Sequence, residues 1–133
     1  MPDIFTDLYN IVEKRNTERK EGSYTVYLID AGLDKILKKL GEETAETIIA
    51  AKNLAKESGA GPVATKEAYE IDSDSALCEE REALKNEAAD LLYHLTVMLY
   101  KLGVNPEEIE TLLRARMQKT GNLKAFRQTD KDS

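Results

Sequence analysis

The sequence predicts an all-α chain, a helical bundle with two long central antiparallel helices and shorter flanking helices. Three observations carry this. Apolar residues recur every three or four positions along two long segments, which is the period of an α-helix. No run alternates apolar and polar residues for long, so strands are poorly supplied. Capping residues stand at the ends of the periodic segments. Each apolar stripe has to be buried against another, and a bundle follows.

Taken in order, the first helix spans about Asp3 to Asn16, with Ile4, Phe5, Leu8, Ile11 and Val12 at helical spacing. Ser23 is placed to cap a short second helix, "YTVYLIDA", which Gly32 ends as a left-handed residue. The third helix begins at Leu33 or Asp34 and continues to about Glu57. Its stripe is Leu33, Leu37, Leu40, Thr44, Ile48, Ala51 and Ala55, and this face is expected in the core. "SGAGP" then ends it, and residues 58–75 read as a loop insertion. "DSDS" supplies N-caps for a fourth helix from Ala76 to Leu102, with Leu77, Leu84, Ala88, Leu91, Leu95, Met98 and Leu102 as its stripe. Gly103 stops it. Asn105, Pro106, Glu107 and Glu108 open a fifth helix, and residues 120–133 read as a tail.

At 133 residues the chain is one domain over 1–133, with no room for a second. Hydrophobic residues at 41% and charged residues at 33% are the balance of a soluble globular protein. A net charge of −6 repels nucleic acid and anionic membranes, so neither is expected as a partner. Cys78 is the single cysteine and has no internal disulfide partner. The amphipathic start lacks a long apolar core, so it is neither a signal peptide nor a membrane span, and a cytoplasmic location is expected.

The chemistry lies in carboxylates at the edge of the core. At about 100° per residue, Lys35, Lys39, Glu43, Glu46, Ala50 and Asn53 share one arc of the third helix, with Glu42 just outside it. Glu87, Asp90 and His94 share an arc of the fourth. Glu46 precedes the end of its helix by about eleven residues, and Glu87 follows the start of its own by about as many. In an antiparallel pair both then lie roughly 16 Å from the connection, and the acidic pairs face each other.

"EExxE" by itself is the ordinary signature of a solvated helix face. A second acidic pair in matching register changes that reading. Carboxylates crowded at the edge of a core repel one another and resist desolvation. Mg²⁺, which takes oxygen ligands and bridges to phosphates, relieves both penalties. A di-iron centre needs Glu-x-x-His on two helices, and this chain has one histidine.

The stretches "GSYTVYLIDAGLDKILKKLGEETAETIIAAKN" (Gly22 to Asn53) and "NEAADLLYHLTVML" (Asn86 to Leu99) resemble the phosphoribosyl-ATP pyrophosphatase family of histidine biosynthesis, within the wider MazG-like all-α pyrophosphohydrolases. "YKLGVNPEEIETLLRAR" continues the likeness, which covers about half the chain. The resemblance implies hydrolysis of phosphoribosyl-ATP between its α and β phosphorus atoms, Mg²⁺ dependence and a homodimer. It implies metal ligands at Glu42, Glu43, Glu46, Glu87 and Asp90. Glu43 or Glu46 is the expected general base. Lys35 and Lys39 are expected at substrate phosphates, Asn53 at the base or ribose, and His94 beside the substrate.

Forty residues separate Glu46 from Glu87, more than the family usually has, and the excess falls in the expected insertion. The chain lacks the cysteine and histidine set of a fused phosphoribosyl-AMP cyclohydrolase, which implies a stand-alone pyrophosphatase. Two alternatives remain open at this point. One is a house-cleaning enzyme for non-canonical nucleoside triphosphates. The other is a non-enzymatic helical interaction protein.

Overall fold

A computed structural model describes residues 3–58 and 76–119. The expected insertion, apart from its first residue, and the expected tail lie outside the described residues. Five helices are present: α1 (Ile4–Glu18), α2 (Tyr24–Ala31), α3 (Leu33–Ser58), α4 (Ala76–Leu102) and α5 (Pro106–Met117). No strand occurs among the described residues, and the fold is all-α. No helix among them is long and apolar enough to cross a membrane.

Local chemistry sets the ends of the helices. The Asp3 carboxylate accepts from the Phe5 amide and caps α1. α1 runs two residues beyond the expected Asn16 and stops at Arg19, which takes a left-handed conformation. The Ser23 hydroxyl accepts from the Val26 amide and caps α2. Gly32 has φ 101° and ψ 172°, so it is not the left-handed residue expected. Its ψ is extended, and this lets α3 begin at the next residue in a new direction. At α5, Asn105 and Glu108 form a full capping box behind Pro106.

The two long helices form the spine and run antiparallel. Ile36 of α3 shares a core cluster with Val97 of α4, while Glu43, further along α3, meets Glu87, earlier on α4. α1 and α2 cover one end of this pair. There Val12, Leu28, Ile36 and Val97 are fully buried and Ile29 nearly so. Each such side chain contributes about 1.5–3 kcal/mol by leaving water. Polar contacts fix the same end. Asn16 donates to the Tyr100 hydroxyl at 3.0 Å, and the Lys101 ammonium donates to the Ile29 carbonyl at 3.2 Å. The second contact satisfies a carbonyl in the last turn of α2.

The stripe expected to bury α3 is not the face it buries. Ile36 and Ala50 are buried, whereas Leu37 is 42% exposed, Ile48 60%, and Thr44 and Ala51 are also exposed. α3 is apolar on two neighbouring arcs, and within one chain α4 covers only the inner one. Glu43 and Thr47 are half-buried on that inner arc, between Ile36 and Ala50. The acidic residues therefore stand closer to the helix interface than the predicted stripe would place them. On α4 the expected stripe is half-buried from Leu77 to Met98 and exposed at Leu102, while His94, Thr96 and Val97 are the buried residues.

Candidate active site

Just beyond the covered end, α3 and α4 bring three carboxylates together. Glu43 and Glu46 are three residues apart on α3 and so project from adjacent turns. Glu87 faces them from α4. One oxygen from each lies within 4.8 Å of the others. Asp90, one turn from Glu87, is exposed, and its charge acts on both Glu43 and Glu87.

The electrostatics are those of crowded like charge. Burial, then contact with Glu87 and Glu46, pushes the Glu43 carboxyl up to about 7 from its ordinary 4.5. Glu87 is also raised, first by its contact with Glu46 and then by burial. Glu43 Oε2 and Glu87 Oε2 are shut off from solvent, and neither has a hydrogen-bond partner among the described residues. A pair of acceptor oxygens left without a donor at a helix interface is costly unless a ligand satisfies them.

The other sequence-predicted residues sort themselves around this cluster. Glu42 pairs with Lys39 at 3.4 Å, which draws it away from the three grouped carboxylates. Lys35 is half-buried one turn before Lys39. Asn53 is exposed and lies about 10 Å beyond Glu46 along the helix axis. His94 is 5% exposed with both ring nitrogens engaged by the protein, Nδ1 with the Asp90 carbonyl at 2.8 Å and Nε2 with the Tyr24 hydroxyl at 2.9 Å. Neither nitrogen is left over for a substrate in this arrangement.

Tyr24 has no counterpart among the residues expected at the site. Its hydroxyl meets His94, and its phenol is raised mainly by burial, with Lys39 opposing and Glu43 adding to the shift. "SYT" marks this segment in the sequence, but nothing in the spacing connects Tyr24 to a histidine 70 residues later. A surface cavity of about 410 Å³ opens at the α1–α2 connection between Arg15, Lys20, Ser23 and Tyr24.

The arrangement is an all-oxygen, anionic cluster at a helix interface. The family profile described as Phosphoribosyl-ATP pyrophosphohydrolase matches residues 5–117, a span that includes all of these groups. The chain belongs to this family. It is 47% identical over 116 residues to the phosphoribosyl-ATP pyrophosphatase of Streptococcus sanguinis strain SK36, covering 87% of this chain and 88% of that one. It is 43% identical to the enzyme of the same name from Pelotomaculum thermopropionicum, covering 88% and 94%. The Clostridium novyi strain NT protein of that name is 37% identical, over 94% and 91%.

Proposed function

We propose that the chain hydrolyses phosphoribosyl-ATP to phosphoribosyl-AMP and pyrophosphate, with Glu43, Glu46, Glu87 and Asp90 as the ligands of Mg²⁺. Hydrolysis of a phosphoanhydride bond in histidine biosynthesis goes with membership of the family. The observation that carries the metal assignment is the pair of solvent-excluded oxygens, Glu43 Oε2 and Glu87 Oε2, that no donor among the described residues satisfies. The donor set fits a hard cation. It offers only carboxylate oxygens, while His94 is engaged elsewhere.

Mg²⁺ held there would neutralise the polyphosphate and offset the charge that develops on the leaving pyrophosphate. The chain's own residues do the remaining work. Glu43 or Glu46, whichever keeps an oxygen free of the cation, would take a proton from the attacking water. Lys39 and Lys35 approach the phosphates from the same helix face. The Lys39–Glu42 pair is partly exposed and weak, so it yields to a phosphate at little cost. Asn53 contacts the base or ribose further along α3. A cytoplasmic setting suits a sequence with a single cysteine, Cys78.

The first test is pyrophosphate release from phosphoribosyl-ATP by the purified chain, with Mg²⁺ and with excess chelator. Rapid, chelator-sensitive release is expected. Faster turnover of free non-canonical nucleoside triphosphates would instead select the house-cleaning reading. Absence of release from folded, Mg²⁺-supplied protein would reject this substrate.

The outer face of α3 supports a homodimer. Leu37, Thr44, Ile48 and Ala51 form an exposed, largely apolar stripe, and Gly41 lies in the same row. A Cβ added at Gly41 would meet nothing within 4 Å among the described residues. A glycine in mid-helix costs up to about 1 kcal/mol relative to alanine, and close approach of a second copy's helix accounts for that cost. Ile48→Glu is expected to halve the molar mass in light scattering while keeping helical circular dichroism. A wild-type chain that is monomeric at micromolar concentration would reject the dimer.

A further inference from the structure

Two adjoining surface cavities flank the connection between α1 and α2, and the carboxylate chemistry uses neither. One, of about 410 Å³, reaches Arg15 of α1. The other, of about 480 Å³, reaches Tyr27 of α2. Lys20 and Tyr24 line both. Each has the volume of a small-molecule site.

The charges on these walls are unevenly paired. Arg19 is tied to Asp30, and Lys14 holds Glu18 at 3.9 Å. Arg15 and Lys20 form no ion pair among the described residues, and Glu21 is the acid of the lining that remains to offset them. Two exposed cations against one acid leave the wall net positive, on a chain whose net charge is −6. A phosphomonoester dianion suits such a pair.

The other wall is aromatic. Tyr24 is 45% exposed and Tyr27 52%, and their rings stack at 6.1 Å with 27° between the planes. Neighbouring aromatic faces open to solvent are a ready surface for another flat ring. Tyr24 is held in place, since its hydroxyl meets His94 Nε2 at 2.9 Å and its ring also stacks on Tyr93 at 6.1 Å. The surface is therefore set before a ligand arrives, which lowers the ordering cost of binding.

We propose that this surface is a nucleotide site for a purine base joined to a phosphomonoester, with the base on Tyr27 and Tyr24 and the phosphate on Lys20 and Arg15. Lys20, common to both cavities, stands between the two halves. A free nucleoside monophosphate has this chemistry. So does the end of phosphoribosyl-ATP remote from the triphosphate, where the purine carries a ribose 5-phosphate. The site stands without the cation reading of the carboxylates, and only its use by the substrate rests on the proposed reaction.

Calorimetric titration with AMP under excess chelator reads this site alone, because the carboxylates then carry no cation to recruit a phosphate. Saturable binding of one AMP per chain is expected. The dissociation constant should rise about tenfold or more in Tyr27→Ala and in Lys20→Ala. It should stay within about twofold of wild type in Tyr27→Phe, which keeps the ring, and in Glu43→Gln. Adenosine and inorganic phosphate should each bind far more weakly than AMP, since each meets one wall. Tyr27 and Lys20 are exposed, so helical circular dichroism should not change in their variants.

Absence of saturable binding would overturn the proposal. So would binding that Glu43→Gln abolishes and Tyr27→Ala leaves intact, which would seat the nucleotide at the carboxylates. AMP added to phosphoribosyl-ATP turnover then separates the two sources. Competitive inhibition assigns the site to the remote end of the substrate, and the base contact passes from Asn53 to Tyr27. Binding without competition assigns it to a free nucleotide. A chain that binds AMP in this way but releases no pyrophosphate from phosphoribosyl-ATP would keep the site and lose only the proposed reaction.

Discussion

Glu43→Gln is expected to reduce turnover by a factor of about 10²–10³ or more while leaving the helical fold intact. The substitution preserves size and removes both properties the site uses. An amide takes no proton from water, and it contributes no charge to a cation. The folded protein should not suffer, because the lost charge is one that its neighbours oppose. Burial and the carboxylates of Glu87 and Glu46 already hold Glu43 near half-protonation at neutral pH. Glu46→Gln and Asp90→Asn should also abolish activity, since the proposed ligands would act as a set, and double variants should be scarcely worse than single ones. Pyrophosphate release together with thermal melts checks this. Turnover within threefold of wild type would remove Glu43 from the mechanism. Loss of turnover together with loss of helix would make its role structural.

The helix ends were legible in the sequence because their chemistry is local. Ser23, Gly103 and the Asn105–Pro106–Glu108 start each act within a few residues, and each does in the structure what its type predicts. The facing of Glu43 and Glu46 with Glu87 was legible for a different reason. Two long helices with similar distances to their connection leave little freedom in register once they are antiparallel.

The buried face of α3 was not legible. Periodicity reports that an arc is apolar, and α3 has two such arcs, one headed by Ile36 and one by Leu37. Which arc the chain covers depends on where α4 docks. Glu42 illustrates a finer limit, since its place in "EExxE" is identical whether it joins the cluster or pairs with Lys39. Tyr24 and His94 are the extreme case. Their bond closes across 70 residues, and neither residue's local pattern announces the other.

The same crowding predicts how stability responds to pH and to the cation. Glu43 is raised from 4.5 to about 7 in the folded chain, and Glu87 moves in the same direction. A folded state that holds protons more tightly than the unfolded state gains stability from them. That gain is full below about pH 4.5, and it is lost as the pH rises through about 7. Metal-free protein should therefore melt at a lower temperature at pH 8 than at pH 5.5, at fixed protein concentration. Because the cluster borders solvent, solvent screening reduces the difference, which is read as a fall in Tm.

Saturating Mg²⁺ should act in the opposite sense. At pH 8 the cation takes the place the proton has left and stabilises the chain, whereas at pH 5.5 it competes with protons and stabilises little. Glu43→Gln should flatten the metal-free trend and most of the Mg²⁺ response together, because a single group carries the larger part of both. Melts at the two pH values, each with chelator and with Mg²⁺, read all of these effects. Greater metal-free stability at pH 8 than at pH 5.5 would mean that the three carboxylates do not crowd one another in solution. The unsatisfied oxygens of Glu43 and Glu87 would then give no reason to expect a cation between α3 and α4.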